Sequence, residues 1–217
     1  MVFALDDKKI AFPNPRLGEP DGLLAVGGDL CVERLLLAYS HGIFPWYSFK
    51  EGLIEWWCPM DRFVIFPDEI HISHSMRTLL NKQKYKVTFN QAFTEVIHHC
   101  AKVNNRIDQP GAWLGPEIMD AYTELHHQHF ASSVEVWDQE NQLVGGLYGV
   151  TIGRCFFGES MFSLIPNGSK IALIYLAKFF QQHGGLMIDC QFETNHLLSM
   201  GGRHIPYDEY IKICHTE

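Results

Sequence analysis

The chain has 217 residues, 47% of them apolar, and a net charge of −8. That length and apolar content support a sizeable core without disulfide staples, in one large domain or in a core domain with a smaller partner. The acidic balance, taken alone, argues against nucleic-acid binding, which usually carries a basic footprint.

Met1–Ile10 carries Asp6, Asp7, Lys8 and Lys9 where a signal peptide would be apolar. The Pro13 and Pro15 pair predicts an extended or turn segment. Asp29 is a plausible N-cap for a helix over Leu30–His41, which Gly42 ends. Short strands are predicted over Ile43–Tyr47, Ile54–Cys58 and Arg62–Phe66. A short helix over Ser73–Leu80, a strand over Tyr85–Phe89 and a helix running from Asn90 to about Val103 follow. Lys102–Gly111 is polar and reads as a loop. Pro116 then opens a helix reaching about Gln128.

The next stretch predicts an antiparallel meander: Ser132–Trp137, Gln142–Val150 and Arg154–Phe162, joined by tight turns. Asn167-Gly168-Ser169 precedes a long helix to about His183, closed by Gly184-Gly185. That helix contains the apolar run Ile171–Phe180, which Lys178 interrupts and which is too short to span a bilayer. An apolar strand over Leu186–Gln191, a short helix near Thr194–Met200 and a final helix from about Tyr207 complete the chain. The second half thus reads β-β-β-α-β-α. The expected division is a small N-terminal domain over 1–65 and a larger one over 66–217.

Several side chains carry possible chemistry. Asp189 and Gln191 are two apart at a strand end, so a strand would set them side by side with Cys190 facing the core. They close a loop or form a site. Cys190 has no neighbouring base and reads as a buried structural thiol. Glu159 lies among Cys155, Phe156, Phe157, Met161 and Phe162. It must meet a cation or hydrogen-bond donors, as a structural ion pair or as a carboxylate holding a substrate amine.

The twelve histidines form no H-E-x-x-H pattern and the six cysteines no C-x-x-C pair, so no metal is expected. The cysteines read as reduced thiols, which suits the cytoplasm. Asn167-Gly168-Ser169 is a helix N-cap or an anion site. Ile70–Thr94 lacks Asp and Glu but holds Arg77, Lys82, Lys84 and Lys86. It is a solvated face or a local phosphate-attracting patch.

Seven runs, in order, resemble the leucyl/phenylalanyl-tRNA–protein transferase family and span nearly the whole chain. They begin at Gly22 (GLLAVGGDL), Gly42 (GIFPW), Trp56 (WWCP), Ser133 (SVEVW), Leu143 (LVGGLYGV), Phe157 (FGESMFS) and Ile188 (IDCQ). The resemblance implies an α+β protein: a small N-terminal α/β domain, then an acetyltransferase-like domain with a mixed, mainly antiparallel sheet. It implies aminoacyl-tRNA carrying Leu or Phe (and Met) as donor. The acceptors would be proteins beginning with Arg or Lys, marked for N-degron degradation, and no cofactor is implied.

By motif match the resemblance makes Asp189 and Gln191 the catalytic pair, with Glu159 holding an amine. It sets Trp46, Trp113 and Tyr122 around the tRNA's terminal adenosine, and Leu147, Phe156 and Met161 around the donor side chain. Arg77, Lys82, Lys84 and Lys86 become the expected tRNA-contacting surface. Gly168 and Leu147 depart from the family's usual residues, and the segment before Phe12 matches poorly.

The chemistry asks for little. The donor is an activated ester and the nucleophile an α-amine with pKa about 7.7–8.0, so positioning matters more than a strong base. Gln191, a poor base, is then an orienting acceptor, with Asp189 polarising it or pairing with the acceptor side chain. An acetyl-CoA-dependent acetyltransferase would need a pyrophosphate loop that is missing from the sequence. A non-catalytic tRNA or N-terminal-Arg binding module is disfavoured by Asp189, Gln191 and Glu159.

Overall fold

The computed structural model describes residues 1–48, 53–104 and 115–216. Its strands, numbered in chain order, are β1 (Phe3–Leu5), β2 (Leu23–Gly27), β3 (Phe44–Ser48), β4 (Leu53–Trp57), β5 (Asp61–Ile65) and β6 (Lys86–Phe89), then β7 (Ala131–Trp137), β8 (Leu143–Ile152), β9 (Cys155–Ser163), β10 (Met187–Asp189) and β11 (Arg203–Pro206). The helices are α1 (Val32–Ser40), α2 (His74–Asn81), α3 (Phe93–Asn104), α4 (Pro116–His127), α5 (Gly168–Gln182), α6 (Asn195–Leu198) and α7 (Tyr207–Cys214).

Two sheets form. The small one has the order β1-β2-β4-β3, and the large one β11-β5-β10-β9-β8-β7-β6. In the large sheet only β9 and β10 run parallel; the other pairings are antiparallel. The fold class expected from the sequence, α+β with a mixed, mainly antiparallel sheet, is the one observed. The meander β7-β8-β9, the helix α5 and the strand β10 follow in the predicted order. β5 belongs to the large sheet.

The large sheet separates two apolar cores. Leu173, Ile174 and Ala177 of α5 pack with Phe63, Val134, Leu147, Phe156 and Ile188 on one side. On the other, Leu35 and Tyr39 of α1, Ile97 of α3, Tyr122 of α4 and Tyr210 of α7 pack with Tyr148, Phe157 and Phe162. The small sheet joins this second core through Leu24, Phe44 and Trp56. α5 lies close to β8 because neither Gly145 nor Gly168 has a side chain; a Cβ on Gly145 would stand 2.8 Å from the Gly168 backbone.

Local departures from the sequence reading have plain causes. Asp29 accepts from the Cys31 N–H and the Arg34 Nε–H, so Cys31 becomes the cap residue and the helix starts at Val32. Asn90 adopts a left-handed backbone, and its side chain takes the Ser133 N–H instead of capping α3. Asn167 is likewise left-handed and makes no side-chain cap; Ser163 Oγ takes the Ser169 N–H. The strands β1, β2 and β11 were not predicted, being short or lacking clear alternation. The loop expected over Lys102–Gly111 lies largely outside the described residues.

Candidate active site

The site begins with an irregularity in β9. Tyr148 pairs with Ser160 and Gly149 with Gly158, leaving Glu159 as the extra residue of a β-bulge. A bulge re-aims side chains and shifts the alternation by one. Phe156 and Met161, five apart, therefore share one face, while Phe157 and Phe162 share the other. Period-two alternation alone would have split Phe156 from Met161.

Phe156, Met161 and Leu147 line one cavity of about 450 Å³. Leu173 and Leu176 of α5, Ile188 of β10 and Leu197 of α6 complete its apolar wall, and Glu159 and Cys190 border it. Cys190, expected to face the core, packs against the core on the α5 side and there forms part of this wall. Burial pushes its thiol up, so it is no thiolate nucleophile.

Glu159 is half-buried and well partnered. The Tyr39 hydroxyl donates to Oε1 at 2.7 Å, the Tyr122 hydroxyl to Oε2 at 2.9 Å, and Gln191 Nε2 to Oε1 at 3.3 Å. The two tyrosine hydroxyls also touch each other; with one proton apiece, they bond each other only when one of them accepts from a protonated Glu159 instead of donating to it. Burial raises the Glu159 carboxyl, the tyrosine hydrogen bonds lower it, and the balance lies at about 7. With Nε2 committed to Glu159, Gln191 keeps Oε1 as its acceptor. Tyr122, expected beside the adenosine, is buried and meets the site only through its hydroxyl.

β10 ends at Asp189, two residues before Gln191, so the strand does not set the two on one face. Gln191 instead has φ 57, and the Phe192 N–H bonds back to the Cys190 carbonyl at 2.7 Å. This is a three-residue turn, a strained shape for a residue with a Cβ. Asp189 is buried, and its carboxylate faces Arg62 and the Tyr210 hydroxyl rather than solvent. The expected pairing of Asp189 with an acceptor side chain is excluded by Arg62, which already holds it. Nor does Asp189 polarise the Gln191 amide: what it accepts is the Gln191 backbone N–H, at 2.9 Å.

Next to Gln191, the half-exposed Phe192 meets the rings of Phe44, Trp46 and Trp57 edge-on, with centroids 5.6, 6.1 and 6.3 Å away. Trp46 is thus brought near Gln191 through Phe192; Trp113 lies outside the described residues. Arg77 on α2, Lys82 and Lys84 after it and Lys86 on β6 are all exposed, on the far edge of the large sheet.

The sequence reading missed Tyr39, Arg62, Tyr210 and Phe192. Tyr39 looked like one more apolar helix residue. Arg62 did leave a signal, a cation inside the apolar strand Phe63–Ile65 begins. Among the described residues, no group of three or more His, Cys, Asp or Glu is placed to hold a metal ion, and no helix is long and apolar enough to cross a membrane.

Known proteins were compared with this chain. The family model described as "Leucyl/phenylalanyl-tRNA protein transferase" matches residues 64–215, and that of the family's N-terminal domain matches residues 28–60. The leucyl/phenylalanyl-tRNA–protein transferase of Nitrosomonas eutropha is 51% identical over 90% of this chain and 82% of its own length. That of Syntrophus aciditrophicus is 51% identical over 94% and 84%, and that of Desulforapulum autotrophicum 46% over 99% and 92%. Among solved structures, L-PGS from Bacillus licheniformis aligns with a TM-score of 0.45 at 14% identity, covering 80% of this chain and 56% of that one, too remotely to bear on function.

An α+β fold with an apolar cavity ending at a buried carboxyl is what the chain presents, and the relatives it matches define it as an aminoacyltransferase. The chain belongs to the leucyl/phenylalanyl-tRNA–protein transferase family, and aminoacyl-tRNA is the substrate that the family's name carries.

Proposed function

We propose that the chain moves leucine, phenylalanine or methionine from tRNA to the α-amine of a protein beginning with Arg or Lys, in the cytoplasm, marking it for degradation. The observation that carries this is the apolar cavity of about 450 Å³ that ends at Glu159. A Leu, Phe or Met side chain fills it, and the donor's amine, one carbon away from that side chain, meets the carboxyl. Gln191 Oε1 accepts from the attacking amine and aims it at the ester carbon. The new amide forms as the ester C–O bond breaks, and the amine's proton ends on the ribose oxygen that leaves. Trp46, Phe192 and, by family resemblance, Trp113 hold the terminal adenosine. We assign the reaction to the large sheet's unit, with the division from the small N-terminal unit falling before β5. Incubation with labelled Leu-tRNA and a peptide beginning with Arg should give labelled peptide; donor binding with no labelled peptide would sink the transferase reading.

The pocket sets donor choice. Met161→Ala or Phe156→Ala should change the ratio of Leu to Phe transfer by about tenfold, since a methylene in such a pocket is worth about 1–3 kcal/mol. Competition between the two charged tRNAs measures this. A change confined to Arg against Lys at the acceptor would show that the cavity holds the other substrate.

Arg77, Lys82, Lys84 and Lys86 are proposed to contact tRNA phosphates. β6 lies four strands from β10, roughly 19 Å at about 4.8 Å per strand. Replacing Lys82, Lys84 and Lys86 by Ala should flatten the log–log salt dependence of tRNA binding by about 3. Saturated turnover should stay, and a short aminoacyl-adenosine donor should be indifferent. Equal losses with tRNA and with the short donor would rule out this path.

A further inference from the structure

We propose that Arg62 and Tyr210 are positioning residues for the transfer, acting on Gln191 through Asp189. The strained turn at Gln191, with φ 57, persists only where its surroundings hold it. The holding contact is Asp189 Oδ1, which takes the Gln191 N–H at 2.9 Å.

Asp189 is itself immobilised. Arg62 Nε lies 3.0 and 3.1 Å from its two oxygens, and the Tyr210 hydroxyl donates to Oδ2 at 2.8 Å. The Arg62 guanidinium sits 4.8 Å from the ring centres of both Phe44 and Tyr210, and its Nη2 donates to the Gly42 carbonyl at 2.6 Å. Gly42 is required here: its φ is +72, and a Cβ on it would lie 2.6 Å from the Tyr210 ring.

Arg62 and Asp189 are 1% and 0% exposed, so neither meets substrate. A buried ion pair adds little net stability by itself. What this one adds is direction: it points one carboxylate oxygen at the backbone of the residue whose side chain reaches Glu159.

The inference rests on the reading of Gln191 and Glu159 as the reaction centre, and the test separates the two. Tyr210→Phe keeps the ring against Arg62 and removes one hydroxyl. Its kcat with Leu-tRNA and an Arg peptide should fall about tenfold, the worth of one hydrogen bond to a charged group. KM for Leu-tRNA should hold within about twofold, and Tm within about 6 °C. In a Gln191→Ala background, Tyr210→Phe should cost nothing further.

Arg62→Lys, which keeps the charge and loses the two-oxygen contact, should show the same split. If that variant fails to fold, Tyr210→Phe carries the test alone. An unchanged kcat in Tyr210→Phe overturns the proposal. So does a full second loss in an impaired Gln191→Ala background, while leaving the reaction centre as assigned. A fully active Gln191→Ala overturns both.

Discussion

Glu159→Gln should lower transfer by about a hundredfold or more and, at the same time, make the protein more stable at alkaline pH. The loss follows from removing the carboxylate that, on the proposed reading, holds the donor's amine. The gain follows from linkage. Burial, opposed by the bonds from Tyr39 and Tyr122, lifts this carboxyl from 4.5 to about 7. Below 4.5 it is protonated in the folded and unfolded chains alike. Between 4.5 and 7 only the folded chain keeps the proton, so stability declines as pH rises through that window. Above 7 the penalty is complete, on the order of 3 kcal/mol. Glu159→Gln has no such proton to lose. Urea unfolding of both proteins at pH 5 and pH 8 measures the difference, because the other titrating groups cancel between them. Parallel stability profiles would show that Glu159 does not titrate there.

Asp189→Ala should destabilise the fold by about 3–5 kcal/mol, because it leaves the Arg62 charge buried without a counter-ion. Activity lost in that variant would say little about chemistry. The pair change Asp189→Leu with Arg62→Met should recover much of the stability and none of the transfer, since no group then holds Gln191 in its turn. Equilibrium unfolding decides the first point and a turnover assay on the folded double variant the second. A cost below about 1 kcal/mol for Asp189→Ala would mean that water or another group replaces the carboxylate.

Much of this arrangement was legible in the chain. The meander, the long α5 and the strand ending at Asp189 followed from alternation, glycine pairs and apolar runs. Leu147, Phe156, Met161 and Glu159 do share one cavity, and Gln191 does meet Glu159. What stayed hidden was long-range partnering. Tyr39 lies 120 residues from Glu159 in the chain and Arg62 lies 127 from Asp189, and no local pattern connects either pair. The turn at Gln191 was hidden too. Glutamine has no preference for a left-handed backbone, and only the Asp189 contact makes that shape tenable. β11 escaped because four residues holding an Arg, a His and a Pro look like a loop until β5 is beside them.

The single extra residue in β9 also has a consequence for how such a protein can diverge. Before the bulge, even positions face the cavity side and odd positions the opposite layer; after it, the assignment is reversed. Phe156 and Met161 therefore face the cavity and the core around it, and Phe157 and Phe162 the opposite layer. Substitutions at the first two can retune which amino acid is carried without disturbing the contacts that join the two sheets. A one-residue deletion anywhere from Gly158 to Ser160 would instead remove the bulge: Phe156 and Met161 would still share a face, but the irregularity that presents Glu159 would be lost. The strand thus tolerates changes of side chain far better than changes of length, and variation in donor preference should accumulate as point substitutions on a β9 of constant length.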